Sequence, residues 1–147
     1  MAILKTVGVS DIRKNWAEYF TDAVYRFRLV VLSRYEKEKA FLLGEKMLNA
    51  LLEMAVASSL AEPKLEVLHE DDGSITVHYF PLDLLANENN HEEAVIDLIS
   101  QAKDYAEDYL TDINLYIKDK TRKAHLPLLI SIANAETDEE IRKILEL

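Results

Sequence analysis

From Ala94 to Tyr109 apolar residues return at steps of three and four, at Ala94, Val95, Leu98, Ile99, Ala102, Tyr105, Ala106 and Tyr109. Asp97, Asp104, Glu107 and Asp108 fall mostly on the other side, so the segment reads as an amphipathic helix whose apolar stripe must be buried. Asn90 followed three residues later by Glu93 is a capping-box pattern that starts this helix and puts acids where the helix dipole favours them. Upstream, Leu65 to His69 and Ser74 to Phe80 flank Asp71-Asp72-Gly73, a turn whose glycine supplies the positive φ of a tight hairpin. Downstream, two short helices are expected over His125 to Ala135 and Asp138 to Leu145, the second capped by Thr137. The C-terminal half is therefore expected to fold, as a β-hairpin followed by helices.

A second pattern occupies the N-terminal half. Lys5 to Val9 is β-rich, and Ser10 is the expected cap of a helix with Asp11 in its first turn. Ile12, Trp16, Tyr19, Phe20, Ala23, Val24 and Phe27 form its apolar face, leaving Arg13, Lys14, Glu18 and Asp22 elsewhere. Arg28 to Ser33 and Ala40 to Leu43 read as the arms of a hairpin around Arg34 to Lys39, and Glu45 to Leu60 as a second helix. Met47, Leu48, Leu51, Leu52, Ala55 and Val56 share one side of that helix. Pro63 cannot donate a backbone hydrogen bond and restricts the residue before it, which places a domain boundary at 61–64. The expected organisation is α+β, with a strand-helix-hairpin-helix domain over 1–60, a linker over 61–64 and a second domain over 65–147.

The charge is divided along the same line. The net charge is −10, but residues 1–62 hold nine Lys+Arg against eight Asp+Glu, whereas residues 63–147 hold eight against nineteen. A weakly basic head joined to a strongly acidic second half suggests two partners. With no Cys, disulfides and thiolate zinc sites are excluded, which suits a reducing cytosol. The opening MAILKTVGVSD is too short in apolar residues for a signal segment, and no run approaches the roughly 20 residues that span a bilayer. A cytoplasmic protein without a membrane segment is expected.

The N-terminal pattern, headed by TVGVSDIRKNWAEYF, resembles the Phd/YefM (prevent-host-death) antitoxin family over about residues 3–60. The family head is a strand, a Ser, two residues, then an Arg followed by an Asn and a large apolar residue, matched by Ser10, Arg13, Asn15 and Trp16. Its second landmark, an apolar strand ending in a Ser/Thr-Arg pair before a hairpin, is matched by VVLSRYEKEKAFLL with Ser33-Arg34. The resemblance implies a homodimer built around the N-terminal sheet that binds operator DNA and represses its own operon. By carry-over Arg13 and Arg34 are the leading DNA contacts, with Lys14, Asn15 and Ser10 beside them and Lys5 as a phosphate anchor. Arg can present its planar fork to guanine or phosphate and Asn can read adenine, so these residue types suit the role. The sequence departs from the family in having Tyr35-Glu36-Lys37-Glu38 where a glycine turn is usual, and Gly44-Glu45 where a Ser or Thr caps the second helix. Trp16 also stands where Leu is commoner.

The C-terminal half resembles the hairpin-plus-helix of HicB-like antitoxin domains, with Asn90, Glu93 and Ala94 matching the helix start and Glu88 replacing the family's Gly. A small basic toxin would find charge complementarity on Asp97, Asp104, Glu107 and Asp108. The function expected on these grounds is that of a type II antitoxin which neutralises a toxin by direct binding. A stand-alone DNA-binding regulator or adaptor without a toxin partner is the alternative. No catalytic set is recognised: P-loop, GxSxG and dinucleotide fingerprints are absent, and Asp71-Asp72 is turn chemistry. His69, His78, His91 and His125 lack ligand spacing, with His69 and His78 diagonal on opposite hairpin arms, so neither metal nor other cofactor is expected.

Overall fold

The computed structural model describes residues 4–59 and 64–147. They form a mixed α+β protein with two three-stranded sheets. The chain divides into two compact units, Met1–Leu51 and Leu52–Leu147. The break read at 61–64 lies, Lys64 apart, outside the described residues.

In the first unit β1 (Leu4–Gly8) lies parallel to β2 (Leu29–Arg34), which pairs antiparallel with β3 (Glu38–Leu42). Parallel neighbours need a crossover, and it is supplied by α1 (Val9–Lys14) and α2 (Trp16–Tyr25). One continuous helix capped by Ser10 was the expectation. Instead Ser10 lies inside α1, Gly8 occupies the cap position without a side-chain bond, and Asn15 at φ −121°, ψ 30° separates the two helices. The interruption changes the phase of the apolar face. Ile12, Tyr19 and Ala23 are buried, whereas Trp16, Phe20 and Phe27, expected inside, are 51%, 44% and 52% exposed. Asp22, expected on the polar side, is buried.

The turn between β2 and β3 is shorter than the polar segment suggests, because β2 runs through Arg34 and β3 begins at Glu38. Tyr35 and Glu36 adopt φ of 51° and 57°, the left-handed geometry that a tight hairpin requires and that favours glycine or asparagine. Gly44 precedes α3 (Glu45–Ser59) and passes close to the end of α2: a Cβ there would lie 2.7 Å from the Ala23 carbonyl oxygen and 3.1 Å from Val24 Cα. Leu51, placed on the inner side of α3 by its spacing, is exposed.

The second unit is built on α4 (His91–Thr111), which begins as expected, the Asn90 side chain accepting a 3.0 Å bond from the Glu93 amide. The stripe from Ala94 to Tyr109 is buried apart from half-buried Tyr105. It packs on a sheet of β4 (Leu65–His69), β5 (Ile75–Tyr79) and β6 (Leu84–Glu88), antiparallel throughout. Gly73, at φ 87°, closes the first hairpin as expected. The hairpin is one strand short of the whole sheet: β6, not expected from the sequence, follows a single 3₁₀ turn at Phe80–Leu82 and alternates Leu84 and Ala86 inward with Leu85 and Asn87 outward. After the short α5 (Ile113–Tyr116), α6 spans Lys120–Asn134, starting earlier than expected because Asp119 caps it by accepting from the amides of Thr121 and Arg122. The last helix, α7 (Asp138–Leu145), is capped by Thr137 as expected.

The two cores differ in size. Among the described residues the second unit gathers sixteen buried apolar side chains in one cluster, the first only Val7, Ile12, Tyr19 and Val30. A unit of about 50 residues with so small a core is marginal by itself.

Candidate functional site

Parallel pairing of β1 and β2 brings their C-terminal ends together, with Gly8 opposite Ser33. α1 leaves from one and the hairpin turn from the other, so Ser10 and Arg34 adjoin the same end of the sheet, with Arg13 and Lys14 in the last turn of α1. Ser10, Arg13, Lys14, Asn15 and Arg34 are all exposed. Lys5 is in β1 opposite Val30, and its side chain lies outside the described residues.

Two of these candidates are engaged within the protein. Asn15 Nδ2 donates to Asp11 Oδ1 at 2.9 Å, and the Tyr19 hydroxyl donates to the other oxygen of the same carboxylate. Asp11 thus ties the break at Asn15 to the first turn of α1 and to α2. The hydrogen bond to Asp11, helped by burial and the negative charge, pushes the Tyr19 phenol up to about 12. Arg34 Nε donates to Glu38 across the closing pair of the hairpin. That pair is the local consequence of the acidic turn noticed in the sequence, and it engages the Nε edge of the guanidinium.

Asp22 has a structural task that periodicity misassigns. Its carboxylate accepts from Arg26 at 2.7 Å and from Arg28 at 3.3 and 3.4 Å. Burial alone would raise its pKa, but the bonds and charges of the two guanidinium groups outweigh that and hold it below the ordinary carboxylate value.

In the second unit Asp104, Glu107 and Asp108 are exposed on α4, and half-buried Asp97 accepts from Gln101 Nε2 at 2.8 Å. The four are on one helix but are not bound together. A concave feature is found elsewhere, where the 82–84 corner meets α4, the end of α5 and the start of α6. It is a cleft of about 470 Å³ with Leu82, Leu84, Tyr105 and Tyr116 among its walls. Asp83, Asp119, Thr121, Arg122 and His125 complete it. Tyr116 stacks on Tyr109 with ring centroids 4.8 Å apart, and the Arg122 guanidinium sits 5.3 Å from the Tyr116 centroid. The Tyr105 hydroxyl meets His125 Nδ1 at 2.9 Å, and burial, more than the neighbouring charges, lowers the pKa of that imidazole. Sequence reading missed this cleft because its residues come from segments far apart in the chain. Spacing placed Tyr105 within the inward stripe of α4, and nothing in the sequence set it apart from its neighbours as a wall of the cleft.

The histidines are dispersed. His78 pairs with Asp83 at 2.9 Å and lies opposite Glu66, while His69 lies opposite Ile75, three pairs along the hairpin and so farther than diagonal. Among the described residues no group of three or more histidines and acids is placed to hold a metal. No helix among them is long and apolar enough to cross a membrane.

A family model described as an antitoxin of RelE/RelB toxin-antitoxin systems matches residues 1–147. No curated protein matches the sequence. The fold is similar to a crystal structure of the antitoxin part of a candidate toxin/antitoxin system from Syntrophomonas wolfei subsp. wolfei. The TM-score is 0.71 at 22% identity, with 95% of each chain covered.

Proposed function

The chain belongs to the PHD_like family, antitoxins of RelE/RelB toxin-antitoxin systems, and from that premise we propose that it neutralises a protein toxin by direct binding and represses its own operon as a DNA-binding dimer. The family match over the full length carries the reading. In this reading residues 1–60 bind DNA and dimerise in the manner of Phd/YefM proteins, 61–64 link, and 65–147 bind the toxin in the cytoplasm.

The exposed end of the first sheet supports the DNA role. It holds Ser10 and Arg34, and α1 leaving it carries Arg13 and Lys14, a group of donors suited to phosphate and base edges. A small core beneath exposed Trp16, Phe20, Phe27 and Phe41 supports dimerisation, because a second copy would cover apolar surface that one copy leaves in water. The excess of acid in residues 63–147 supports a small basic toxin as partner.

The test is to recover the tagged protein from its native cell. Co-elution of a stoichiometric small basic protein encoded beside it is the expected result, and recovery of operator DNA alone, with the locus intact and expressed, would make the protein a stand-alone regulator. Arg13→Ala and Arg34→Ala should each weaken operator binding by about 1–3 kcal/mol, roughly 5- to 150-fold, without altering the dimer. Unchanged affinity in both would remove the DNA assignment.

A further inference from the structure

The cleft of the second unit combines apolar and charged walls. Its walls are apolar and aromatic, from Leu82, Leu84, Tyr105 and Tyr116, yet it presents the carboxylates of Asp83 and Asp119 against the single guanidinium of Arg122. The Tyr116 ring is already held by Tyr109 and Arg122, and the Tyr105 hydroxyl by His125, so these walls are set in place before anything binds. An anion would meet both carboxylates and the field of a strongly acidic half-chain. A neutral apolar ligand would use the walls but not the carboxylates, which keep acceptor capacity beyond the His78 contact of Asp83 and the two amide bonds to one oxygen of Asp119. Lysine and arginine side chains match the lining on both counts, since each carries an apolar stem and a cationic head.

We propose that this cleft receives an arginine or lysine side chain of the partner toxin, its stem against Tyr105, Leu82 and Leu84 and its head paired with Asp83 and Asp119. This rests on the antitoxin reading above and adds the point at which the toxin is gripped. Exposed Asp108, three residues after Tyr105 and so on the same side of α4, extends the negative field beside the cleft. The cleft supplies the central contact and the acidic half-chain the surrounding field, the division expected of an interface in which a few central side chains dominate.

The test uses the full chain, isotope-labelled, titrated with an N-acetylated hexa-arginine amide. Saturable amide shifts at Tyr105, Tyr116, Thr121 and His125 are expected. Asp83→Asn with Asp119→Asn should weaken that binding at least ten-fold. Asparagine tolerates the left-handed geometry of Asp83 (φ 52°) and can still cap α6, so the double variant should keep its melting temperature. If it does not, Asp83→Asn alone serves. Shifts confined to α4 outside the cleft, or equal affinity in the variant, would overturn the proposal. In parallel, the product of the adjacent gene is captured on wild type and variant. Failure of wild type to capture it counts against the antitoxin reading, while the peptide titration still decides whether the cleft takes a cationic side chain. Capture by wild type and equally by the variant counts against the cleft alone.

Discussion

Tyr79 is fully buried in the core of the second unit, and its hydroxyl finds no hydrogen-bond partner among the described residues. Burial pushes its pKa above the ordinary phenol value. A desolvated hydroxyl without a partner is destabilising, so Tyr79→Phe should stabilise the protein by about 1 kcal/mol, read as a raised midpoint in urea unfolding. A lowered midpoint would mean that the hydroxyl has a partner in solution. Asp22 illustrates the opposite case, a buried group whose partners are in place. Its folded pKa is depressed, so its contribution is fully present above about pH 3.9 and is lost as pH falls through the lower folded value. Asp22→Asn should lower the melting temperature at pH 7 and flatten the acid side of the stability curve below about pH 4. Identical acid limbs for variant and wild type would remove the ion pairs from the account. Neither residue could be read from spacing. Asp22 stands at a position that an unbroken helix would turn to solvent, and Tyr79 looks like any inward strand residue.

Among the elements, the hairpin of β2 and β3 carries the clearest internal conflict. Two non-glycine residues, Tyr35 and Glu36, hold left-handed backbone, each at a steric cost of about 1–2 kcal/mol. Glu36→Gly should therefore raise stability by about 1 kcal/mol and remove one acid from the turn beside Arg34. Thermal melting checks the first effect, and operator binding at low salt, expected to tighten, checks the second. The elements legible in the sequence are those whose signals are local. The capping box at Asn90, the glycine turn at Gly73 and the Thr137 cap each act within a few residues, and each is where the sequence put it. The illegible ones depend on partners distant in sequence. β6 is short, with no clear alternation of apolar and polar residues, and it exists because β5 and α4 pair and pack with it. The break at Asn15 is fixed by Asp11 and Tyr19, which spacing treats as unrelated positions. Among the candidate sites, Ser10, Arg13 and Arg34 were named from the resemblance alone, and the cleft was not legible because no single segment contains it.

For the whole molecule, a large core in one unit and a small one in the other should produce unequal protection. Backbone amides of β5 and α4 should exchange hydrogen much more slowly than those of β1 to β3. Raising the protein concentration should narrow the gap if the first unit is completed by a second copy. Equal protection in both units at low concentration would count against that dependence. The near approach of Gly44 to Ala23 and Val24 bears on a different matter, the tracing of descent. Exposed charges can be exchanged freely, but no side chain fits where the Ala23 carbonyl lies 2.7 Å from an added Cβ. Within the antitoxin family that glycine should persist as a fixed point after most other letters have changed, and an alignment anchored on it should recover relatives that the charged positions miss.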